Sequence, residues 1–375
     1  MNFTIAKDVI LNHLLIAQKA LSTKTPAPYL QGIKIEVYAH ELVLVTSNSD
    51  ISIKISIKDE SLKVEATGAI LIPGKYFVEI IRKLNGEAVR FSQLDDNIMR
   101  IEAGNSDVTL NLINVDDYPD IDFVVSDNPI RMEARVMRAV IRQTTFAAST
   151  IENRPILTGV NIRVDGGKLT AIATDSFRLS QKWIDLQAAF EKMNVVIPGR
   201  SLDELSKVLD AINLDEILIH LDHKSILFEY GSVLFQSRLL DGNFPETSRL
   251  IPVDFPIVIK FSKNDLFVAV DRAALLSARE GSASIVKLNL RADNVVEITS
   301  NSPEIGKISE EVFPLEKVAG GTIKIAFSSK YFMEALKTFN SEQIFVKFTG
   351  EIRPFVIEGE NDPGLVQLIL PVRTE

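Results

Sequence analysis

Apolar residues recur every three or four positions in six segments of the chain, which is the spacing of a helix with one buried face. In one of these segments, Phe77, Ile81 and Leu84 lie on a single face. We therefore predict helices over the six segments, which cover residues 6–21, 75–84, 135–149, 200–209, 263–279 and 330–338.

Between the helical segments, apolar and polar residues alternate, as they do in half-buried strands. Three such strands open with GIKIEV at Gly32, GVNIRV at Gly159 and VKLNLRA at Val286. Three more end in a turn motif, namely VLVTSNS at 43–49, TAIATDS at 170–176 and VEITSNS at 296–302. Each turn motif carries Asn or Asp followed by Ser, which are residues that favour turns.

Two of the predicted helices follow nearly the same phrase, LIPGKYFVEIIRKL and VIPGRSLDELSKVL. A third copy, IAFSSKYFMEALKTF, loses the Pro-Gly but keeps the basic residue and the helix. Lys75, Arg200 and Lys330 then fall in register, at steps of 125 and 130 positions. A fixed internal period of this kind indicates an architecture built from repeats.

The repeats predict an α+β protein of three tandem domains, each made of two similar halves of helix and sheet. The expected domains cover residues 1–125, 126–254 and 255–375, with boundaries near Pro129 and Pro256. The segments DIDFVVSDNP and ETSRLIPVDFP have the composition of linkers. A chain of 375 residues is long enough for two or three domains.

Composition excludes several classes of site and location. The chain has no cysteine, which rules out disulfides, thiolate nucleophiles and cysteine-bound zinc. No apolar run approaches the roughly 18 residues of a membrane span, and the N-terminus has the spacing of an amphipathic helix rather than of a signal peptide. We expect a soluble cytoplasmic protein with no membrane partner.

The candidates for catalytic chemistry are few. His220 and His223 form either a metal pair or solvated turn residues, and the turn interpretation is favoured. The acidic cluster 116–122 could serve a hydrolase or bind a cation, but the aligned second copy, DGNFPET, has a single Asp, so a turn is favoured. Asp175 likewise has a turn role in preference to a catalytic one, because the other copies carry Asn48 and Asn301. We predict no enzyme activity, no catalytic residue, no metal and no cofactor.

Charge is distributed unevenly along the chain. The six predicted helices carry a net charge of +8 within a chain of −9, so the remainder carries −17. Helix propensity alone would favour Lys and Arg, but it would favour Glu as well, and these helices contain little Glu. A shared basic face predicts contact with a polyanion such as double-stranded DNA, through phosphates and without sequence readout.

Three tandem repeats of two halves each resemble the bacterial sliding clamp family, the β subunit of DNA polymerase III, over the whole chain. The most specific motifs are ATDSFRL at 173–179, LLDGNFPETSRLIP at 239–252 and LILPVR at 368–373. The resemblance implies a head-to-tail homodimer that closes a ring of six domains around duplex DNA, with twelve helices lining the hole. It implies a processivity factor that catalyses nothing and tethers the replicative polymerase during DNA replication.

The resemblance also implies three sets of contact residues. The DNA-facing set is Lys24, Lys75, Arg82, Lys83, Arg138, Arg142, Arg200 and Lys207. The dimer-interface set is Val108 and Leu110 in the first domain and Leu275 and Leu276 in the third. The peptide-binding set, between the second and third domains, is Leu157, Thr174, Ser176, Phe177, Arg178, Leu179, Pro245, Arg249, Leu250, Pro354, Leu368, Ile369, Leu370, Pro371, Val372 and Arg373.

The implied peptide pocket would bind the replicative polymerase catalytic subunit, the clamp loader and other proteins that carry a clamp-binding motif. An apolar cleft with a few polar anchors suits an extended peptide with one or two apolar side chains. Phe177 stands where the best-known members of the family carry His. The alternative function is a protein-interaction scaffold with no role on DNA.

Overall fold

The computed structural model describes residues 1–22, 25, 27–222, 224–277, 279–280 and 283–373. Two residues named above, Lys24 and His223, lie outside the described residues.

The helices that the periodicity predicted are present in the described residues. Their bounds are α1 (Lys7–Ala17), α2 (Gly74–Lys83), α3 (Ala134–Thr144), α4 (Gly199–Ala211), α5 (Lys263–Ala274) and α6 (Ser329–Leu336). The prediction was too long for α5, because the apolar pattern continues through Leu275 although the helix ends at Ala274 and Leu275 is exposed. Short 3-10 turns extend α1 and α3 to residues 20 and 147.

The strands are numbered in chain order. They are β1 (Asn2–Ala6), β2 (Gly32–Tyr38), β3 (Glu41–Ser47), β4 (Ile51–Ile57), β5 (Lys63–Ala66), β6 (Gly68–Pro73), β7 (Ala88–Asp95), β8 (Ile98–Ala103), β9 (Ser106–Asn111), β10 (Ile130–Glu133), β11 (Gly159–Thr174), β12 (Arg178–Pro198), β13 (Glu216–Leu221), β14 (Ser225–Tyr230), β15 (Val233–Arg238), β16 (Ile257–Ser262), β17 (Arg279–Glu280), β18 (Ala283–Leu290), β19 (Val296–Ser302), β20 (Gly306–Val312), β21 (Ile323–Ser328), β22 (Gln343–Phe348), β23 (Phe355–Gly359) and β24 (Leu365–Ile369).

One compact unit consists of Met1–Arg138 and Arg200–Leu239. It contains a five-stranded sheet in the order β5-β1-β7-β8-β9 and an eight-stranded sheet in the order β10-β13-β14-β15-β4-β3-β2-β6. The eight-stranded sheet joins strands of the first repeat to strands of the second through the antiparallel pair β4–β15. We call this pair the first junction.

The other compact unit consists of Ala139–Gly199 and Leu240–Glu375. Its six-stranded sheet has the order β11-β12-β24-β23-β22-β16, and its second sheet has the order β17-β18-β19-β20 with β21 paired to β18. The antiparallel pair β12–β24 joins the second repeat to the third. We call this pair the second junction.

Each unit has aromatic side chains in its core. In the first unit, Phe3 stacks on Phe91 with ring centroids 4.5 Å apart, and Phe77 of α2 meets Phe91 edge-on. In the second unit, Phe332 of α6 stacks on Phe327 at 4.7 Å. All five rings are almost fully buried. The apolar face of each of these helices thus packs on its sheet, as the amphipathic pattern predicted.

The repeated Pro-Gly phrase has a packing reason. A Cβ at Gly74 would lie 2.6 Å from the Leu21 side chain, and one at Gly199 would lie 3.1 Å from the Thr158 carbonyl oxygen. A glycine therefore lets these helices begin close to their neighbours. The third copy begins differently, because the hydroxyl of Ser328 caps α6 by accepting a hydrogen bond from the Tyr331 backbone N–H at 3.4 Å.

The structure corrects the interpretation of His220 as a solvated turn residue. The residue is only 2% exposed and lies on β13. Its Nδ1 accepts a hydrogen bond from the Ser126 backbone N–H at 3.0 Å, and its Nε2 lies 3.1 Å from Glu229. An apolar-polar alternation cannot distinguish a buried, paired histidine from an exposed one. His220 therefore ties the segment before β10 to the sheet.

The acidic segment 116–122 begins as a short 3-10 turn, and the Asn114 side chain accepts a hydrogen bond from the Asp116 backbone N–H. Across the described ranges, no three His, Cys, Asp or Glu side chains are grouped so that they could hold a metal ion. Nor does any described helix combine the length and apolar character needed to cross a bilayer.

Candidate peptide-binding and DNA-binding sites

A small apolar cluster lies at the second junction, apart from the main core of its unit. Leu179 of β12 and Leu368 of β24 face each other across the strands and are buried. Ile172 and Val356 complete the cluster. Three partly buried side chains from the segment after Leu240 pack against it, and these are Phe244, Ile251 and Phe255. The cluster therefore has a sheet floor and a loop that covers part of it.

The C-terminal segment borders this cluster and is held by backbone hydrogen bonds. The Leu370 N–H donates to the Phe177 carbonyl at 2.9 Å, and the Val372 N–H donates to the Ala326 carbonyl at 2.7 Å. The Leu370 side chain is nevertheless 37% exposed. The backbone is thus fixed while an apolar side chain stays available to a ligand.

Phe177 is presented by a turn that leads from β11 into β12. The Asp175 carboxylate accepts hydrogen bonds from the backbone N–H groups of Phe177 at 2.9 Å and Arg178 at 3.0 Å. The turn role predicted for Asp175 is therefore confirmed. Ser176 has a φ of +78°, a left-handed conformation that is uncommon for a residue other than glycine. The Phe177 side chain is 60% exposed at the tip of this turn.

The remaining predicted pocket residues differ in exposure. Leu157, Thr174 and Ile369 are buried, and Pro354, Pro371 and Val372 are half-buried. The exposed ones are Ser176, Pro245, Arg249, Leu250 and Arg373. Sequence reasoning did not name Phe244, Ile251 and Phe255 as site residues, although Phe244 and Ile251 lie within the family motif at 239–252.

Arg178 is not free to reach a ligand, although its sequence position suggested a peptide contact. Its side chain is 10% exposed. The guanidinium donates to the Asp175 carboxylate at 3.0 Å, to Glu334, and to the Phe146 carbonyl at 2.5 Å. The sequence carried no signal for this burial, because arginine is mostly a surface residue.

The basic residues predicted to face DNA lie mainly on the surfaces of helices. Lys75, Arg82 and Lys83 on α2, Arg142 on α3, and Arg200 and Lys207 on α4 are exposed. Arg82 and Lys207 also pair with Glu79 and Glu204 one turn away. Arg138 differs, because it is half-buried and donates to the Leu209 carbonyl at 2.8 Å, which fixes the end of α4.

Comparison with known proteins identifies the family. Family models of the DNA polymerase III beta subunit match the N-terminal domain at residues 1–122, the central domain at 131–246 and the C-terminal domain at 248–373. The chain belongs to the DNA polymerase III beta subunit family. It is 41% identical to the Staphylococcus aureus (strain Mu50) beta sliding clamp, with both chains covered completely.

Solved structures of family members agree with this assignment. The DNA polymerase sliding clamp from Bacillus subtilis superposes with a TM-score of 0.96 at 41% identity, and both chains are covered completely. The beta subunit of the DNA polymerase of Streptococcus pyogenes superposes with a TM-score of 0.95 at 34% identity, again over both whole chains. The three clamp-type domains of mixed helix and sheet that the repeats predicted are therefore confirmed.

In this member of the beta subunit family, β9 and β20 are two of the strands that lie at sheet edges. Among the described strands, β9 pairs only with β8, and β20 pairs only with β19. Val108 and Leu110 are half-buried on β9. Leu275, which follows α5, is 78% exposed, and its neighbour Leu276 is half-buried. Unpaired edge strands with apolar side chains are typical of surfaces that another chain covers.

Charged side chains also mark the β9 edge. The Arg100 guanidinium on β8 donates two hydrogen bonds to the Asp107 carboxylate, at 3.0 and 2.6 Å. These hydrogen bonds hold the pKa of Asp107 below its ordinary value. Asp107 is therefore already partnered within its own chain.

Proposed function

We propose that this chain is a DNA sliding clamp, a processivity factor that encircles duplex DNA and tethers the replicative polymerase. The observation that carries the proposal is the match over the whole chain to beta sliding clamps at 41% identity. The clamp would catalyse no reaction and would act during DNA replication in the cytoplasm. The domains are proposed to cover residues 1–125, 126–254 and 255–375.

The exposed basic residues on α2, α3 and α4 support a DNA-facing surface. They belong to a chain whose overall charge is −9, so the positive charge on the helices stands out from an acidic remainder. Lysine and arginine contacts to phosphates give affinity without reading the sequence, and the affinity falls steeply with salt. A clamp needs such contacts, because it must move along any sequence.

The exposed edges of β9 and β20 support a ring. A head-to-tail contact joins two different surfaces and closes when the rotation between the chains permits it. We propose that the β9 edge, with Val108 and Leu110, meets the β20 edge of a second copy. Leu275 and Leu276 would be covered in the same contact. Two such contacts would close a homodimer of six domains.

The cluster of Leu179, Leu368, Ile172 and Val356 supports a peptide pocket at the second junction. Exposed Phe177 and Leu370 border it, so the site offers apolar contact area with a fixed backbone. We propose that the peptide-binding set named from the sequence lies around this cluster. The exposed members of this set would contact short segments of the replicative polymerase catalytic subunit, the clamp loader and other proteins with a clamp-binding motif, whereas the buried Arg178 would not.

Retention on DNA by topology tests the clamp proposal. The protein is loaded with a clamp loader onto a nicked circular duplex, and the circle is then cut once. A closed ring predicts stable retention on the circle and fast release from the linear product. Equal retention on both would indicate ordinary surface binding and would overturn the ring. A parallel loading with Leu275→Glu, which places a charge in the proposed contact, should yield little retained protein.

A further inference from the structure

The turn of residues 174–178 holds a strained backbone through a closed set of hydrogen bonds. Besides the two bonds to Asp175, the Thr174 hydroxyl donates to the Arg178 carbonyl at 2.6 Å and accepts from the Ser176 N–H at 3.1 Å. A non-glycine residue in the left-handed region costs about 1 kcal/mol or more, so its neighbours must enforce it. The conformation of Phe177 thus depends on what fixes Asp175.

The Arg178 guanidinium fixes Asp175 from the interior. An arginine has five N–H donors, and here they serve three acceptors on three segments: Asp175 in the turn, Glu334 on α6 and the Phe146 carbonyl after α3. The guanidinium carbon also lies 5.1 Å from the Phe146 ring centroid and 4.5 Å from that of Tyr331. Such cation–π contacts favour the charged guanidinium.

The first junction contains a related turn without an arginine and without the left-handed residue, because Ser49, which corresponds to Ser176, does not have a positive φ. There Asn48 accepts from the backbone N–H groups of Asp50 and Ile51, and Ile51 occupies the position of Arg178. The tip residue of that turn, Asp50, is instead held from outside by Arg238 at 2.5 Å. The second junction leaves its tip residue, Phe177, uncovered. An internal arginine can hold the turn while leaving the tip side chain free for a ligand.

We infer that Arg178 is the positioning residue of the peptide site and does not itself contact the peptide. Paired with Asp175 and Glu334, it holds Phe177 in the binding conformation before a peptide arrives. Preorganisation of this kind raises affinity because less ordering remains to be done on binding. The inference rests on the proposed peptide site and adds the residue that shapes it.

The first test uses the free protein and therefore does not depend on any peptide. Hydrogen exchange of the Phe177 and Arg178 amides is measured in the parent and in Arg178→Met, Arg178→Lys and Glu334→Gln. We expect at least about tenfold faster exchange in Arg178→Met and smaller increases in the other two, because lysine keeps the charge but lacks the planar fork. The matched control is Arg291→Met, which removes an exposed arginine paired with Asp293 and Glu311. Unchanged exchange in Arg178→Met would overturn the inference.

The second test measures binding of fluorescent hexapeptides that carry two adjacent apolar side chains, using the tightest binder of the panel. Arg178→Met and Glu334→Gln should both lower the affinity for this peptide, and the variant with the faster amide exchange should lower it more. The Arg291→Met control should bind the peptide as the parent does. Faster exchange with unchanged affinity would contradict the positioning role. Glu334→Gln keeps Arg178 in place, so the comparison survives if Arg178→Met folds poorly.

Two further outcomes separate the inference from the proposed function. In Asp175→Asn, the side-chain oxygen can still accept from the turn, as Asn48 does, but the bond from Arg178 is lost. If Arg178 acts through Asp175, the Arg178→Met substitution should lower peptide affinity less in the Asp175→Asn background than in the parent. A parent that binds no peptide of the panel would contradict the proposed pocket, whereas the exchange rates would still decide whether Arg178 holds the turn.

Discussion

The two junctions share a cross-strand backbone hydrogen bond and a turn held by one side chain. In the first, the Arg238 N–H donates to the Asp50 carbonyl at 3.0 Å, and in the second, the Leu370 N–H donates to the Phe177 carbonyl at 2.9 Å. The side chains of Asn48 and Asp175 make the same hydrogen bonds, each accepting from the N–H groups two and three residues later. The turns differ at the next residue, since Ser176 has a positive φ and Ser49 does not. These bonds set a register in which Asp50 corresponds to Phe177 and Arg238 to Leu370.

The side chains at matching positions differ in kind. The tip pair is an ion pair in the first junction, Asp50–Arg238, and two exposed apolar residues in the second. Two residues further in, the cross-strand pair is Ser52–Gln236 in the first junction and Leu179–Leu368 in the second. The comparison teaches that a repeated scaffold becomes a peptide site through a few apolar replacements and one local change of backbone, the left-handed Ser176 in place of Ser49.

The helices that precede the junction strands also end differently. In the first unit, the Tyr230 hydroxyl accepts from the Leu214 N–H and donates to the Ile212 carbonyl, both at 2.8 Å. In the second unit, the Asp362 carboxylate accepts from the N–H groups of Asn340 and Ser341 at 3.0 and 2.9 Å. The neutral Tyr230 hydroxyl and the ionised Asp362 carboxylate thus hold the backbone after a helix in the two units. Because only the carboxylate can be protonated in acid, we expect only its contribution to stability to fall at low pH.

The largest effect, a loss of stability of the second unit, is expected from Leu368→Ala. Removing a fully buried leucine from the cluster costs about 3 kcal/mol, because the cavity collapses only in part. Urea unfolding followed through Trp183, the only tryptophan and a β12 residue, measures the loss. The matched control, Gln236→Ala in the first junction, is measured by calorimetry because Trp183 belongs to the other unit, and it should cost about 1 kcal/mol or less. Equal costs at the two positions would break the comparison.

The next largest effect is expected from exchanging the tip pair. The double variant Phe177→Asp and Leu370→Arg places the Asp–Arg tip pair of the first junction at the second junction. Each lost apolar contact is worth about 1.5 kcal/mol, so peptide affinity should fall roughly 100-fold. Fluorescence titration measures the affinity, and sedimentation shows whether the oligomeric state is kept. Affinity within about twofold of the parent would show that the tip does not define the site.

An intermediate effect, which depends on pH, is expected from Asp362→Asn. Burial alone would raise the pKa of Asp362, but hydrogen bonds from the Ser341 hydroxyl and two backbone N–H groups outweigh it and lower the pKa. A lowered folded-state pKa contributes stability above the ordinary carboxyl pKa, and the contribution is lost as the pH falls through the folded-state value.

Asp362→Asn should therefore lower the free energy of unfolding by about 2 kcal/mol at pH 7. The difference in unfolding free energy between variant and parent should become smaller below about pH 4. Urea unfolding through Trp183 at pH 7 and pH 3 measures it. Tyr230→Phe, studied by calorimetry, is the neutral counterpart and should show no such narrowing. A gap for Asp362→Asn that is equal at both pH values would contradict the assignment.

The smallest effect is expected from Asp50→Asn. The Asp50–Arg238 pair is more than a third exposed on both sides, and surface ion pairs contribute about 0.2–1 kcal/mol. The variant should lower the melting temperature only slightly and leave peptide binding unchanged. Weaker peptide binding would mean that the first junction takes part in recognition, which the comparison denies.

Local patterns predicted the parts of this molecule that depend on neighbours in sequence. The helices and the turn role of Asp175 follow from spacing and turn chemistry, and the register of Lys75 and Arg200 follows from the repeat. The pairing of β12 with β24 and the burial of Arg178 depend on residues far away in the chain, which periodicity does not encode. The exposed tip of Phe177 was named only through the family resemblance.

Photo-crosslinking tests the central claim most directly, because it reports where a peptide binds. A hexapeptide that binds the parent is synthesised with a benzophenone in place of one apolar side chain, irradiated with the protein, and mapped by mass spectrometry. We predict adducts at the second junction, on the Phe177 turn, around Leu250 or in the segment 368–373. Adducts concentrated at the first junction, around Asp50 or Arg238, would contradict the account.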